Sequence, residues 1–299
     1  MPATKAPTQT RIELRNILYA TDFSPMAEVA ASYAAELARR YDSKVFALHV
    51  RPVQSYGMAP PESWAALKEA SEFQAKEQAA HLCGLFRGVG HQAIVEEGGV
   101  WEILARLIKE QNIDLVVMGT HGREGLGKLF LGSVTESVLR RAPCPVLTIG
   151  PHVEVEPARA TQMKRILFAT DFSEASQAAT PYAISLAQEN QAHLDLLHVI
   201  ENRKAGEPVN TGELIQGTAA RMQRLLPPEA EIWCEPAYLV EAGHPAEQVI
   251  KAARERKSDA IVIGVRHLEN DFGAAEHLPW HTAHKIIAGA PCPVLTVRG

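Results

Sequence analysis

One segment of this chain is written twice, as ILYATDFS from Ile17 and as ILFATDFS from Ile166, at an offset of 166 − 17 = 149 residues. The LHV at Leu48 and the LHV at Leu197 keep that offset, and three further pairs follow in the same order. VEEGG from Val95 answers VEAGH from Val240, IDLVVMG from Ile113 answers SDAIVIG from Ser258, and APCPVLT from Ala142 returns unchanged from Ala290. Matches spread over half a chain mean two copies of one folding unit joined in tandem. A length of 299 residues gives each copy enough chain to close its own core. The expected domains are 1–150 and 160–299, with a linker across 150–163, where GPHVEVEPARATQMK has two prolines and no clear periodicity. Its shortness predicts that the two units stay in contact.

Each copy alternates short apolar runs with stretches of helical spacing. In the first, RNILYAT, KVFALHV, QAIVEEG, IDLVVMG and PVLTIG read as strands buried on both faces. Between them lie predicted helices over 23–40, 60–86, 100–111 and 133–141, the first with a small-residue face of Ala27, Ala30, Ala31, Ala34, Ala35 and Ala38. The second copy repeats the order with RILFAT, HLDLLHV, AYLVEAG, SDAIVIG and PVLTVRG. Strands alternating with helices require right-handed crossovers, which predicts an α/β fold with a doubly wound parallel sheet in each unit.

Composition narrows the function classes. With 46% hydrophobic residues, 22% charged residues and a net charge of −5, the chain has no general attraction for nucleic acid or an anionic membrane. MPATKAPTQT carries no apolar core of signal-peptide length, and no apolar run approaches the roughly 20 residues of a bilayer span, so a cytoplasmic location is expected. Cys83, Cys144, Cys234 and Cys292 have no close-spaced metal pattern and read as reduced thiols, with Cys144 and Cys292 buried in equivalent PCPVL strands.

The candidate site begins where the fourth strand ends, in GTHGREGLGKLFLGSVTES from Gly119. In open α/β sheets ligands bind beyond the carboxyl ends of the strands, where strand order reverses. Gly119 and Gly122 can take positive φ and let backbone approach a ligand, while Gly132 and Ser133 sit at the start of a helix whose amides and dipole favour an anion. Ser133-x-x-Glu136 is also a capping box, so Ser133 could cap its own helix instead. Asp22 would face the same crevice or cap a helix with Ser24, and its counterpart Asp171 survives where the glycine pattern does not. Val50 ends the second strand, where a backbone group could meet a base edge. Glu96, Glu97 and Glu241 read as strand-end surface charge. No G-x-x-x-x-G-K-[ST] loop is present and the first strand does not lead into G-x-G-x-x-G, which disfavours a P-loop enzyme or a dinucleotide dehydrogenase.

These residues resemble the universal stress protein family over nearly the whole chain, as two tandem copies. Its ATP-binding members carry G-x-x-G, nine residues, then G-[S/T], a spacing matched by Gly119, Gly122, Gly132 and Ser133. The resemblance implies Rossmann-like domains of the adenine nucleotide alpha hydrolase type, each a five-stranded, mainly parallel sheet in the order 3-2-1-4-5 flanked by helices. It also implies pairing through the fifth strands, within the chain or in a homodimer. By it, Ala20, Asp22 and Val50 would lie near the nucleoside, and Gly119, Gly122, Gly132, Ser133, Val134 and Thr135 would hold ribose and phosphates. The implied ligand is ATP, with magnesium as its companion ion, and the implied role is stress survival with slow or no hydrolysis.

The second copy departs from the pattern. After Gly264, His267 stands where the next glycine is expected, and Trp280, His281 and Thr282 occupy the region of Leu131, Gly132 and Ser133. Phosphate capture by the second unit is therefore not expected, and one nucleotide per chain is. His277, His281 and His284 lack a carboxylate partner of fixed spacing, and Pro279 interrupts them, so no metal site is expected. Three classes remain: a nucleotide-dependent regulatory protein, a scaffold that binds no nucleotide, and a slow ATPase. The last lacks an evident lysine, arginine finger or base for fast phosphoryl transfer.

Overall fold

The computed structural model of the protein describes residues 12–53, 60, 63–120, 131–153, 163–201, 211–230, 234–266 and 277–299. They divide into two compact units, Leu14–Ile149 and Gly150–Gly299, the second also taking in Ile12 and Glu13. The N-terminal unit runs β1 (Asn16–Thr21), α1 (Pro25–Tyr41), β2 (Lys44–Arg51), α2 (Trp64–Leu85), β3 (His91–Glu97), α3 (Val100–Glu110), β4 (Leu115–Gly119), α4 (Ser133–Arg141) and β5 (Val146–Ile149). The C-terminal unit runs β6 (Arg165–Ala169), α5 (Glu174–Asn190), β7 (His193–Ile200), α6 (Thr211–Gln223), β8 (Ala237–Ala242), α7 (Pro245–Arg256), β9 (Ala260–Val265), α8 (His277–Gly289) and β10 (Val294–Arg298).

Within the N-terminal unit the strand order is β3-β2-β1-β4-β5, and within the C-terminal unit it is β8-β7-β6-β9-β10. The pairings inside each unit are parallel. Each unit thus has the five-stranded α/β order that the resemblance implied. The central strands are covered on both faces, which is why they read as unbroken apolar runs: Ile17, Leu18 and Tyr19 are fully buried, as are Ile166, Leu167 and Phe168.

A shared corner joins the first strand of each unit to its first helix. Ser24 caps α1 by accepting the Ala27 N–H (3.3 Å), with Pro25 in the first turn, where its missing N–H loses nothing. Ser173 caps α5 in the same way through the Ser176 N–H (3.3 Å). Both helices turn alanines inward, Ala27, Ala30, Ala34 and Ala38 in α1 and Ala175, Ala179, Ala183 and Ala187 in α5, so each lies close against its sheet.

At the opposite edge one aspartate per unit ties the entry of the fourth strand to that of the first. Asp114 Oδ2 accepts the Arg15 and Asn16 N–H groups (2.7 and 2.9 Å), and Asp259 Oδ2 accepts those of Lys164 and Arg165 (2.8 and 3.0 Å). Cys144, Cys234 and Cys292 are buried and Cys83 is exposed, all as free thiols. Burial pushes the Cys234 thiol up to about 11 and raises Cys292 further, so neither ionises near neutrality. Among the described residues no helix is long and apolar enough to cross a membrane.

Candidate functional site

In the N-terminal unit β1 lies between β2 and β4, so successive elements leave the sheet in opposite directions from its carboxyl end. Ala20 is half-buried near the end of β1, Val50 is half-buried near the end of β2, and Gly119 is the last residue of β4. Asp22 follows directly after β1. These four sequence-derived candidates therefore share one edge across three adjacent strands. Gly122 lies outside the described residues.

The β1–α1 corner is rigidly specified. Phe23 has φ +61°, a left-handed conformation unusual for a residue with a Cβ, and hydrogen bonds on both sides hold it there. Thr21 Oγ1 accepts the Phe23 N–H (2.9 Å) and Asp22 Oδ1 accepts the Ser24 N–H (3.0 Å). The Phe23 ring packs on His49, with centroids 4.4 Å apart, and the His49 Nδ1–H donates to the Thr21 carbonyl (2.8 Å). The C-terminal unit repeats every part: Phe172 has φ +61°, its ring lies 4.7 Å from His198, and His198 Nδ1–H donates to Thr170 O (2.8 Å). Asp22 thus has a structural duty common to both units.

Gly119 meets the sheet differently from the sequence expectation. It is not in a positive-φ conformation; a Cβ there would instead approach Ala27 N to 3.1 Å and Met26 C to 3.2 Å, in the first turn of α1. At Gly264 the same approach is tighter, 2.2 Å to Ala175 O. The glycine that both units keep is therefore the one that lets the first helix sit on the fourth strand.

The start of α4 is the distinctive feature of this edge. Gly132, not Ser133, is the N-cap, and with no side chain it leaves the first turn without a side-chain cap bond. Ser133 is the first helical residue, so the capping-box reading fails, and Glu136 turns to Arg140 (3.0 Å) instead of back to the cap. The first internal bond is Glu136 N–H to Gly132 O (2.9 Å), so the amides of Ser133, Val134 and Thr135 precede the helical ladder. This terminus is bonded to the end of β4 by Gly132 N–H to Thr120 O (2.9 Å) and by Thr135 Oγ1, which donates to Gly119 O (3.0 Å) and, at 3.4 Å, to Thr120 O. Thr135 is thereby buried against the strand. Amides in this position, at the positive end of a helix, suit an anion.

The equivalent helix of the C-terminal unit is longer. Both helices end directly before APCPVLT, but α8 has 13 residues and α4 has 9, one turn more at the amino end. Counting back from that shared end places Trp280 at Gly132 and His281 at Ser133, one residue from the sequence expectation. The amides that correspond to Ser133, Val134 and Thr135 fall in the second turn of α8, where carbonyls one turn back accept them.

Sequence reasoning missed Arg51, the last residue of β2. Its guanidinium is buried and bonded to Ser71 on α2 and to Glu97 on β3. Glu97 is consequently an ion-pair partner and not the simple surface charge expected; Glu96 pairs with Arg106 at 2.6 Å. No local pattern could have signalled this, because Ser71 lies 20 residues from Arg51.

Comparison with known proteins identifies the architecture. The universal stress protein family matches residues 13–150 and again residues 163–298, and the chain belongs to that family as a tandem two-domain member. A universal stress protein of Methanocaldococcus jannaschii is 31% identical over 138 residues, covering 45% of this chain and 81% of the relative. Universal stress protein A homolog 1 of Coxiella burnetii is 32% identical over 138 residues, covering 45% of this chain and 95% of the relative. Among solved structures, a universal stress protein of Archaeoglobus fulgidus aligns with a TM-score of 0.70 at 20% identity, over 96% of this chain and 99% of that one. That likeness concerns the fold.

Proposed function

We propose that the N-terminal unit binds ATP, with magnesium as its companion ion, at the carboxyl edge of β2, β1 and β4. Occupancy would then regulate the protein's conformation or choice of partner in a stress response. The observation that carries this reading is the start of α4: three amides ahead of the helical ladder, behind a glycine cap, bonded to the end of β4. Triphosphate oxygens match such amides in charge and hydrogen bonding. Ala20, Asp22 and Val50 would line the nucleoside end, and Gly119 would act by letting α1 close on β4. In the C-terminal unit the extra turn of α8 takes up the corresponding amides, which supports one nucleotide per chain. A cytoplasmic location and pairing of the two units, or of two chains, belong to the same proposal.

The test is calorimetric titration of the full chain with ATP and magnesium, beside a Gly122→Val, Gly132→Val variant. A β-branched side chain at the cap blocks the approach of phosphate, so binding should weaken by about 100-fold or more in the variant, the loss of about two charge-assisted hydrogen bonds. Equal binding by the two proteins would overturn the cradle. No binding by the wild type would favour the scaffold reading.

A further inference from the structure

Arg51 closes β2 at the carboxyl edge, one residue beyond Val50, and its side chain is only 6% exposed. Nη1 donates to the Ser71 carbonyl (2.9 Å), and Nη2 donates to Ser71 Oγ (2.6 Å) and stands 3.3 Å from Glu97 Oε1. Ser71 Oγ in turn donates to the same carboxylate oxygen (3.3 Å). One buried charge thus fastens β2, α2 and β3 together.

The chain contains its own control for what this clamp is needed for. Arg51 faces Glu97 across the β2–β3 pairing, and in the same register of β7–β8 the pair is Ile200 and Ala242. An apolar pair therefore suffices to join these strands in this fold. The Arg51 end of this pair is buried while the Glu97 end is 39% exposed; replacing a buried charge together with its partner by packed apolar residues is in general neutral or stabilising, so fold stability alone does not account for the charge. The unit that keeps the clamp is the unit that keeps the open start of α4.

What the clamp holds is the beginning of α2. Ser71 lies seven residues after Trp64, so Trp64 stands about 10 Å along the helix axis from the residue that Arg51 holds. Trp64 and Leu67 share the helix face of Ser71, at spacings of seven and four. They are nonetheless 49% and 39% exposed. Both lie in the first turns of α2, ahead of the residue that Arg51 holds at the end of β2. In the C-terminal unit α6 has half-exposed Leu214 and Ile215 but no aromatic residue.

We propose that the Arg51–Ser71–Glu97 clamp holds Trp64 and Leu67 as the apolar wall against which the purine base of the bound nucleotide packs, with Arg51 as a positioning residue. This rests on the nucleotide reading above and extends it to the base. Stacking on an aromatic ring uses the π-face that every base has, so the wall supplies affinity for the nucleoside end while the amides of α4 hold the phosphates.

Two ligands separate these contributions: ATP, which uses wall and cradle, and inorganic tripolyphosphate, which uses the cradle alone. The full chain is titrated with each, as wild type, as Trp64→Ala, and as an Arg51→Ile, Glu97→Ala double variant that copies the pair of the C-terminal unit. Both variants should bind ATP about tenfold more weakly, with tripolyphosphate affinity held within about twofold. The double variant should keep its thermal midpoint within about 4 °C, since no buried charge is left alone. Unchanged ATP affinity in the variants overturns the wall alone, and equal losses for both ligands overturn it in favour of general distortion. A wild type that binds neither ligand overturns the nucleotide reading and this proposal together.

Discussion

A glycine that survives in both copies of a repeat serves what the copies share. Gly119 and Gly264 end the fourth strand of their units, and each admits the first turn of a helix where a Cβ would collide. At Gly264 the obstacle is backbone at 2.2 Å, which cannot rotate away; at Gly119 the approach is 3.1 Å and a small shift relieves it. Gly264→Ala should therefore destabilise by about 3 kcal/mol and Gly119→Ala by about 1 kcal/mol, within the usual range for overpacking. Urea unfolding of the two variants measures this, and the reverse order would contradict the packing account. The sequence marks both positions as glycine but does not reveal the neighbour, which comes from a helix more than 80 residues away in the chain. Arg51 was hidden for a similar reason: a charge at the end of an apolar strand looks like a rim residue until α2 lays Ser71 over it.

At the scale of elements, the corner and the fourth helix behave in opposite ways. The corner is duplicated with its strained phenylalanine, its cap and its histidine, so the ATDFS motif specifies how a strand turns into a helix. In the C-terminal unit that corner has an acid-sensitive part. Burial alone would raise the pKa of Asp171, but hydrogen bonds from the Ser173 hydroxyl and N–H and from Ser176 outweigh it and set the pKa below its ordinary value. A carboxyl lowered on folding stabilises the folded state above its unfolded value, near pH 4, and that contribution disappears as pH falls through the folded value. Asp171→Asn should accordingly narrow the difference in urea midpoint between about pH 7 and pH 3 relative to wild type. An undiminished difference would mean that the corner carboxylate is not a source of acid lability.

The fourth helix carries the divergence between the units. Its carboxyl ends coincide in α4 and α8, and its amino ends differ by a turn. Substitution of Gly132 by a bulkier residue was visible in the sequence, but the extra turn was not, because His277 and Pro279 suit a first helical turn no better than a loop. Of the two readings open for Ser133-x-x-Glu136, the capping box does not form: the cap is the glycine one residue earlier, and Glu136 pairs with Arg140.

The whole molecule joins one fold, used twice, to a fourth helix that begins differently in the two copies. The fold was legible because parallel strands covered on both faces read as apolar runs, and because each run recurs in register with its copy. The family membership follows from both halves together, residues 13–150 and 163–298. The candidate site was legible where glycine spacing mirrors backbone geometry, at Gly132 and the helix behind it. It was opaque where the geometry depends on distant side chains, as in the clamp that supports Trp64. The central claim is the asymmetry itself, and the number of nucleotides bound per chain tests it most directly. Equilibrium titration of the full chain with ATP and magnesium should saturate at one nucleotide per chain. Saturation at two would show that α8 leaves a second cradle open, and either that result or the absence of binding would contradict the account.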